Sequence, residues 1–131
     1  MQIIFEASNA TAARPAASLS CEFTWGSIIK GGCMMLDGAR WTLRPDGTAT
    51  FDATVTSGED NRAWVVWHVD LLDRDGAVLG SLATANPVDG DLRKFVRAMP
   101  SSAERYRFRA SASFDAGLWP AIERMKMYSS C

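Results

Sequence analysis

A ten-residue stretch near the end of the chain alternates between two kinds of side chain with a period of two. In RYRFRASASF, residues 105–114, apolar or small residues occupy every even position, and arginine or serine occupies the odd positions up to 113. Successive side chains point to opposite faces of a β-strand, whereas one face of a helix repeats every three to four residues. The stretch therefore predicts a strand with one buried face and one face toward solvent.

The segment ARWTLRPDGTATFDATVT, residues 39–56, repeats this alternation on both sides of a turn. Trp41 and Leu43 alternate with polar residues before the Pro-Asp-Gly triplet, and Phe51 and Val55 alternate with polar residues after it. Proline, aspartate and glycine are typical of tight turns between strands. The segment therefore predicts a β-hairpin.

Turn residues separate the other short apolar segments too, and helical periodicity is nearly absent. We expect an all-β fold, a single antiparallel β-barrel or β-sandwich of about seven to eight short strands, with one short helix near the C-terminus at residues 119–124. A closed barrel is preferred because it leaves no exposed strand edges. Residues 1–20, rich in alanine, serine and threonine, are expected to form a flexible arm, and residues 21–131 a single domain.

The charges nearly balance over the chain but not along it. Fourteen Lys and Arg against fifteen Asp and Glu give a net charge of −1, so no overall field attracts nucleic acid or an anionic membrane. Residues 46–75 hold seven acids and two bases, whereas residues 92–109 hold six bases and one acid. This asymmetry predicts strand faces that pair across the sheet or, alternatively, an anion site. Arginines and aromatic residues alternate in 105–109, so they lie on opposite faces and do not form a nucleic-acid platform.

Three cysteines bear on the compartment in which the protein works. In an oxidising compartment we expect Cys33 to pair with Cys131, leaving Cys21 as a thiol, whereas in a cytoplasm all three would be thiols. The first residues lack the pattern of a signal peptide, so the sequence as given predicts a cytoplasmic protein. If the native start lies upstream of residue 1, we expect a secreted protein instead. No apolar run is long enough for a transmembrane helix, so no membrane partner is expected.

The stretch RAWVVWHVDLLDRDG, residues 62–76, contains the candidate catalytic residues. It predicts a long strand in which Trp64, Val66, His68 and Asp70 share one face. A carboxylate beside an imidazole raises the basicity of the imidazole, so His68 and Asp70 are candidates for a general base pair. The alternative is an ordinary pair near the rim of the sheet, because no nucleophile or third partner is evident.

Five tryptophans are many for a chain of this length, and most are expected in the core. Trp41 and Trp64 are the candidate walls of a ligand pocket, with Val66 beside them. A cavity of roughly 300 Å³ or more, lined by Trp64, Val66 and His68, is the geometric expectation. The sequence has no glycine-rich phosphate loop, serine-centred elbow or metal-ligand spacing, so neither a cofactor nor a metal is expected.

Four segments carry a resemblance to known proteins: FTWGSIIKGGC, WTLRPDGTATFDATVTS, FVRAMPSSAERYRFRASASFD and the closing YSSC. Together they resemble a family of small actinobacterial β-rich proteins of unknown function. That resemblance implies no activity. In architecture alone, a short β-rich chain is also similar to the small β-barrel cyclases of polyketide biosynthesis, a likeness that names no catalytic residue.

Two hypotheses about function follow. In the first, a barrel acting as a monomer or homodimer binds a hydrophobic small molecule and catalyses a cofactor-free cyclisation or isomerisation between aromatic walls, with His68 and Asp70 moving a proton. In the second, the chain is a non-catalytic, disulfide-stabilised, secreted interaction or carbohydrate-binding module, with its partner on an exposed arginine or tryptophan surface.

Overall fold

The computed structural model describes residues 3–7 and 20–131, and within them the chain forms two antiparallel β-sheets and almost no helix. The predicted all-β class is confirmed. Among the described residues neither sheet closes on itself, so the preferred closed barrel does not appear. In chain order the strands are β1 Ile3–Ala7, β2 Cys21–Trp25, β3 Ile28–Lys30, β4 Cys33–Met35, β5 Ala39–Leu43, β6 Thr48–Ser57, β7 Arg62–Leu72, β8 Val78–Ser81, β9 Ala83–Thr84, β10 Phe95–Met99, β11 Arg105–Ser113 and β12 Arg124–Ser130.

The first sheet is centred on β7. Its order is β1-β12-β7, and the far side of β7 pairs with β10 along its first half and with β8 along its second half. The second sheet is centred on β6, which pairs with β11 on one side and with β5 and β4 on the other. Strand β2 extends this sheet beyond β5, and β9 extends it beyond β11.

The predicted hairpin of residues 39–56 is confirmed as β5 and β6, with Trp41 opposite Phe51. Gly47 in its turn has a φ of +90°, a conformation that glycine adopts without the steric cost of a Cβ. The alternation of residues 105–113 is also confirmed, because Tyr106 and Phe108 on β11 are buried while the arginines between them are exposed.

One hydrophobic core lies between the sheets. Trp41, Phe51 and Phe108 of the second sheet belong to the same buried cluster as Trp64 and Phe95 of the first. The Trp41 ring stacks on Phe51 at 4.8 Å between centroids and meets Phe95 of the other sheet edge-on at 5.3 Å. Aromatic pairs of this geometry add to the stabilisation that burial of the rings provides.

From β8 onward, consecutive strands belong alternately to the two sheets. The first crossing is at Leu82, which is fully buried and whose backbone N–H still bonds to Val69 of the first sheet before the chain continues into β9 of the second. The last four strands are therefore divided equally between the sheets.

The structure differs from the predicted element list in several places. Ile3–Ala7, inside the segment expected to be a flexible arm, pairs along its whole length with β12, whereas residues 8–19 lie outside the described residues. The described strands outnumber the seven to eight expected, because strands of two to four residues are too short for a visible alternation. Near the C-terminus a 3₁₀ helix spans Ala116–Ala121, and β12 already begins at Arg124.

A disulfide joins Cys33 on β4 to Cys131, with the two Cα atoms 6.2 Å apart. The pairing predicted for an oxidising compartment is thereby confirmed, and Cys21 is buried on β2. The bond links the second sheet to the end of β12 in the first, so it ties the two sheets together at one end of the core.

Membrane-spanning helices and metal-binding clusters are both absent from the described residues. None of their helices has the length and hydropathy that crossing a bilayer requires. Their histidine, cysteine, aspartate and glutamate side chains form no group of three that could hold a metal ion.

Candidate functional site

His68 and Asp70 are neighbours on β7, as the sequence predicts. His68 Nε2 lies 3.8 Å from Asp70 Oδ2, and the Ser81 hydroxyl donates a hydrogen bond of 2.7 Å to Asp70 Oδ1. The imidazole stacks on the Tyr128 ring. Serine and histidine thus both contact the carboxylate instead of each other. A histidine that activates a serine lies between the serine and the carboxylate, so this arrangement is a different one.

The two predicted catalytic residues lie on the opposite face of the sheet from the predicted pocket walls. Tyr128 on β12 pairs with His68, but the next residue, Ser129, pairs with Val66, so Trp67 is an extra residue on β7. Such a β-bulge reverses which positions face inward. Before it Trp64 and Val66 belong to the core cluster, and after it Val69 and Leu71 do, whereas Asp70 and Leu72 are also buried but lie outside that cluster.

The prediction that Trp64, Val66, His68 and Asp70 share one face is therefore wrong. The period of two that relates Trp64 to Val66 does not continue through the bulge to His68. His68 and Asp70 lie together on the outer face of the first sheet, and Trp64 and Val66 face the core.

Trp41, Trp64 and Val66 are part of the packed interior. All three have no exposed surface and belong to the hydrophobic core cluster. The indole rings that the sequence suggests as walls of a cavity are packed against neighbouring side chains, as Trp41 is against Phe51 and Phe95. These residues accordingly stabilise the fold, and the candidate binding surface lies elsewhere.

A wide concavity lies on the outer face of the second sheet. We call it the polar groove, and its volume is about 530 Å³. The polar side chains that line it come from β5, β6 and β11 and from the loop after β9: Arg40, Thr42, Thr50, Asp52, Asn86, Arg109 and Ser111.

Strand register arranges these side chains in two parallel rows across the sheet. In one row Asp52 on β6 lies directly between Arg40 on β5 and Arg109 on β11. In the adjacent row Thr50 on β6 lies between Thr42 on β5 and Ser111 on β11. Residues two apart on a strand share a face, so a charged row and a hydroxyl row run side by side along the groove.

Asp52 is surrounded by three guanidinium groups. Arg107 Nη2 donates to both Asp52 oxygens at 3.1 Å, whereas Arg40 Nη2 and Arg109 Nε lie 3.7 and 3.8 Å from the carboxylate. The prediction that charged strand faces pair across the sheet is confirmed here. The cluster nevertheless has more positive than negative charge, so the alternative of an anion site also retains a structural basis.

Two smaller depressions continue the polar groove at its ends. One, of about 190 Å³, shares Arg40 and Asp52 with it and adds Arg107. The other, of about 230 Å³, shares Asn86 and Arg109 and adds Lys94. The concave surface thus extends across β5, β6 and β11 and is suited to an elongated ligand.

The basic row of arginines on β11 is visible in the sequence, but the polar groove is not. Arg40, Asp52 and Arg109 are far apart in the sequence and become neighbours only through the register of three strands. The available signal was the hairpin of residues 39–56, which places Arg40 across from Asp52 once the Pro-Asp-Gly turn is aligned. Nothing in the local sequence of β11, the third strand, indicates that it pairs with β6.

Two turn carboxylates have perturbed titration, and both lie outside the polar groove. Hydrogen bonds from the Thr48 hydroxyl and backbone N–H lower the pKa of Asp46 from its ordinary value of 3.8. A hydrogen bond from the backbone N–H of Ser102 lowers the pKa of Asp60 in the same way. Each bond favours the ionised carboxylate and fastens a turn.

Comparisons with known proteins give little functional information. Among curated proteins no relative is found. Among solved structures, the chain is similar to the crystal structure of the enzymatically active domain of bacteriophage CBA120 tailspike protein 4, with 13% identity and a TM-score of 0.28. The match covers 97% of this chain and 18% of that one. At this TM-score the likeness supports no conclusion about fold or activity.

A comparison with family models is more informative about relationship. A model described as a family of unknown function, DUF6294, matches residues 40–131. The match includes β5 from its second residue onward and all of β6 through β12, and therefore both the polar groove and the His68 and Asp70 pair. Because it extends over most of the sequence, the chain belongs to the family of unknown function DUF6294.

Proposed function

We propose that this chain is a non-catalytic, disulfide-stabilised carbohydrate-binding module whose ligand lies in the polar groove. The observation that carries the proposal is the groove itself, because its volume of about 530 Å³ is within the size range of small-ligand sites. Hydroxyl and amide side chains from Thr42, Thr50, Ser111 and Asn86 line it. These groups both donate and accept hydrogen bonds, as the hydroxyl groups of a sugar do.

The composition of the polar groove supports binding more than catalysis. A general acid or base must exchange a proton near neutral pH, which guanidinium groups in general do not do. Asp52, the carboxylate among the lining residues, is already engaged by arginines. His68 belongs to the other sheet.

The groove also differs from a typical protein-binding surface. Protein interfaces usually depend on a few large apolar or aromatic anchors that become buried on binding. The exposed large apolar residues of the described chain, Ile29, Val78, Leu92 and Val96, do not line the main groove. A hydrophilic ligand fits this surface better than an apolar protein face.

The disulfide supports a location outside the cytoplasm. Disulfides persist in secreted and periplasmic proteins and are rare where glutathione and thioredoxin keep thiols reduced. With Cys33 bonded to Cys131, we propose that the module works in an oxidising compartment, in agreement with the secreted alternative.

We do not retain the cyclase hypothesis. It requires Trp41, Trp64, Val66 and His68 to surround one hydrophobic hollow. Three of these residues are fully buried in the core and His68 lies on an outer face, so no shared lumen supports the proposal.

A glycan array probed with the disulfide-bonded protein tests the proposal. The variant Ser111→Trp fills the groove, and Val78→Trp places the same side chain on an exposed position of the other sheet. We expect the wild-type protein and Val78→Trp to bind the same glycans and Ser111→Trp to lose them, with thermal unfolding used to verify that both variants fold. Absence of glycan binding, or binding that Ser111→Trp leaves unchanged, would contradict the proposal.

A further inference from the structure

The charged row of the polar groove and Arg107, which lies beside the row on β11 and lines the adjoining depression, together carry an excess of positive charge toward solvent. The side chains of Arg40, Arg107 and Arg109 are 50%, 56% and 69% exposed, and the single carboxylate among them, Asp52, is 32% exposed. One carboxylate neutralises one of the three guanidinium charges. The row is therefore a cationic strip set in a concave surface.

Two of these arginines retain hydrogen-bonding capacity. Arg107 donates to both oxygens of Asp52 at 3.1 Å. Arg40 and Arg109 approach the same carboxylate only to 3.7 and 3.8 Å, which is beyond hydrogen-bonding distance. Their planar N–H groups can therefore bind a second carboxylate in the bidentate geometry that guanidinium and carboxylate groups favour.

From these observations we infer that the ligand of the polar groove is an acidic polysaccharide, whose carboxylates bind Arg40 and Arg109 and compete with Asp52. The inference rests on the proposed function and specifies its ligand class. Solvent-exposed ion pairs stabilise a protein only weakly, so an incoming carboxylate can displace the existing pairs at little cost.

The spacing of the rows supports a polymer that carries both hydroxyl and carboxylate groups. Arg40 and Arg109 are separated by two strand spacings, about 9.5 Å, and the row of Thr42, Thr50 and Ser111 lies about 7 Å along the strands. A ligand that lies across the strands thus meets charged groups on one side and hydroxyl groups on the other. A uronic acid polymer presents both kinds of group repeatedly.

Nucleic acid fits the same surface less well. Single-stranded nucleic acid is normally held by exposed aromatic rings on which bases stack, together with a basic groove. Phe51, the aromatic residue among the main groove's lining, is only 2% exposed and packs against Trp41 and Phe108. The groove offers hydroxyl groups where such a platform would be expected.

Calorimetric titration with uronate polymers tests the inference. The probes are polygalacturonate and alginate oligosaccharides, each compared with its carboxyl-reduced neutral form. We expect wild-type protein to bind at least one acidic form and not its reduced counterpart. We expect Arg40→Gln and Arg109→Gln each to weaken binding about tenfold, since each removes charge-assisted hydrogen bonds to a ligand carboxylate. Asp52→Asn should strengthen binding severalfold because it removes the internal competitor.

Arg105→Gln provides the matched control. Arg105 is an exposed arginine on the same face of β11, four residues from Arg109, and it does not line the groove. Binding by this variant should stay within about twofold of wild type, as expected when only a distant, screened charge is removed.

The outcomes separate this inference from the proposed function. If a neutral glycan or a carboxyl-reduced polymer binds as well as the acidic form and Ser111→Trp abolishes that binding, the groove is a carbohydrate site and the inference about charge is wrong. It is equally overturned if Arg109→Gln behaves like Arg105→Gln, or if polyglutamate or single-stranded DNA binds more tightly than every uronate. If Ser111→Trp leaves uronate binding intact, or no saccharide binds at all, both proposals fail.

Discussion

His68 and Tyr128 face each other across β7 and β12, and their rings stack with centroids 4.1 Å apart. This pair marks the last position before the register shifts by one residue at Trp67. The core cluster contains the even positions Trp64 and Val66 on one side of the shift and the odd positions Val69 and Leu71 on the other. Loss of the Trp64 side chain should therefore destabilise the fold more than loss of the His68 side chain.

Trp64→Ala should destabilise the fold by about 3–5 kcal/mol, because it opens a cavity in the core. The Trp64 indole N–H has no acceptor among the described residues, so the substitution leaves no orphaned partner there. His68→Ala should cost less, about 1–2 kcal/mol, since the ring lies outside the core cluster but is only 18% exposed and stacks on Tyr128. Urea unfolding of both variants measures the difference, and equal losses would show that the assignment of faces is incorrect.

Reduction of the Cys33–Cys131 bond should lower the free energy of unfolding by about 2–4 kcal/mol. The bond joins residues 98 positions apart in sequence, and a long closed loop strongly restricts the unfolded chain. Unfolding by guanidinium chloride with and without dithiothreitol gives the value. The variant in which both cysteines are replaced by alanine is the control, and a reductant effect that persists in it would mean that another group is responsible.

Gly47→Ala should destabilise the protein more than Gly38→Ala does. Both glycines have positive φ, +90° and +100°, so both substitutions carry a similar backbone cost. A Cβ at Gly47 would also lie 2.6 Å from the Phe114 carbonyl oxygen, whereas a Cβ at Gly38 would meet no atom within 4 Å. Thermal unfolding of the two variants isolates the close approach between the hairpin turn and the end of β11. Equal melting temperatures would indicate that this contact relaxes freely.

Thr48→Val should raise the pKa of Asp46 toward its ordinary value of 3.8 without fully restoring it. The substitution removes the hydroxyl bond, the largest cause of the lowered pKa, and leaves the bond from the Thr48 backbone N–H. A carboxylate with a lowered folded pKa stabilises the fold above pH 3.8, and this contribution is lost as the pH falls through the folded pKa. Carbon-detected NMR titration of Asp46 in both proteins measures the change, and identical titration curves would exclude the hydroxyl bond as its cause.

Local patterns were sufficient to predict the strands that are long and half-buried. The hairpin of β5 and β6 has a turn with glycine at the position of positive φ, and the alternation in β11 continues for nine residues. The Cys33–Cys131 pairing was predictable only for an oxidising compartment, because a bond there ties down the end of the chain; the alternative of three thiols in a cytoplasm stayed open.

What the sequence could not provide was the register between strands. The bulge at Trp67 is defined only by the pairing of β7 with β12, and no residue in the stretch VVWHVD marks it. The polar groove has the same origin, because Arg40, Asp52 and Arg109 meet through pairings on both sides of β6. A one-residue change of register on either side would disperse the cluster.

The crossing at Leu82 has a consequence for how the molecule can come apart. After this point the chain alternates between the two sheets, which form the two layers of the fold. The late strands of each layer are therefore separated in sequence by strands of the other layer. No single cut would release one layer as an independent folding unit. The slowest-exchanging amides of both layers should therefore become accessible to solvent in one common opening event.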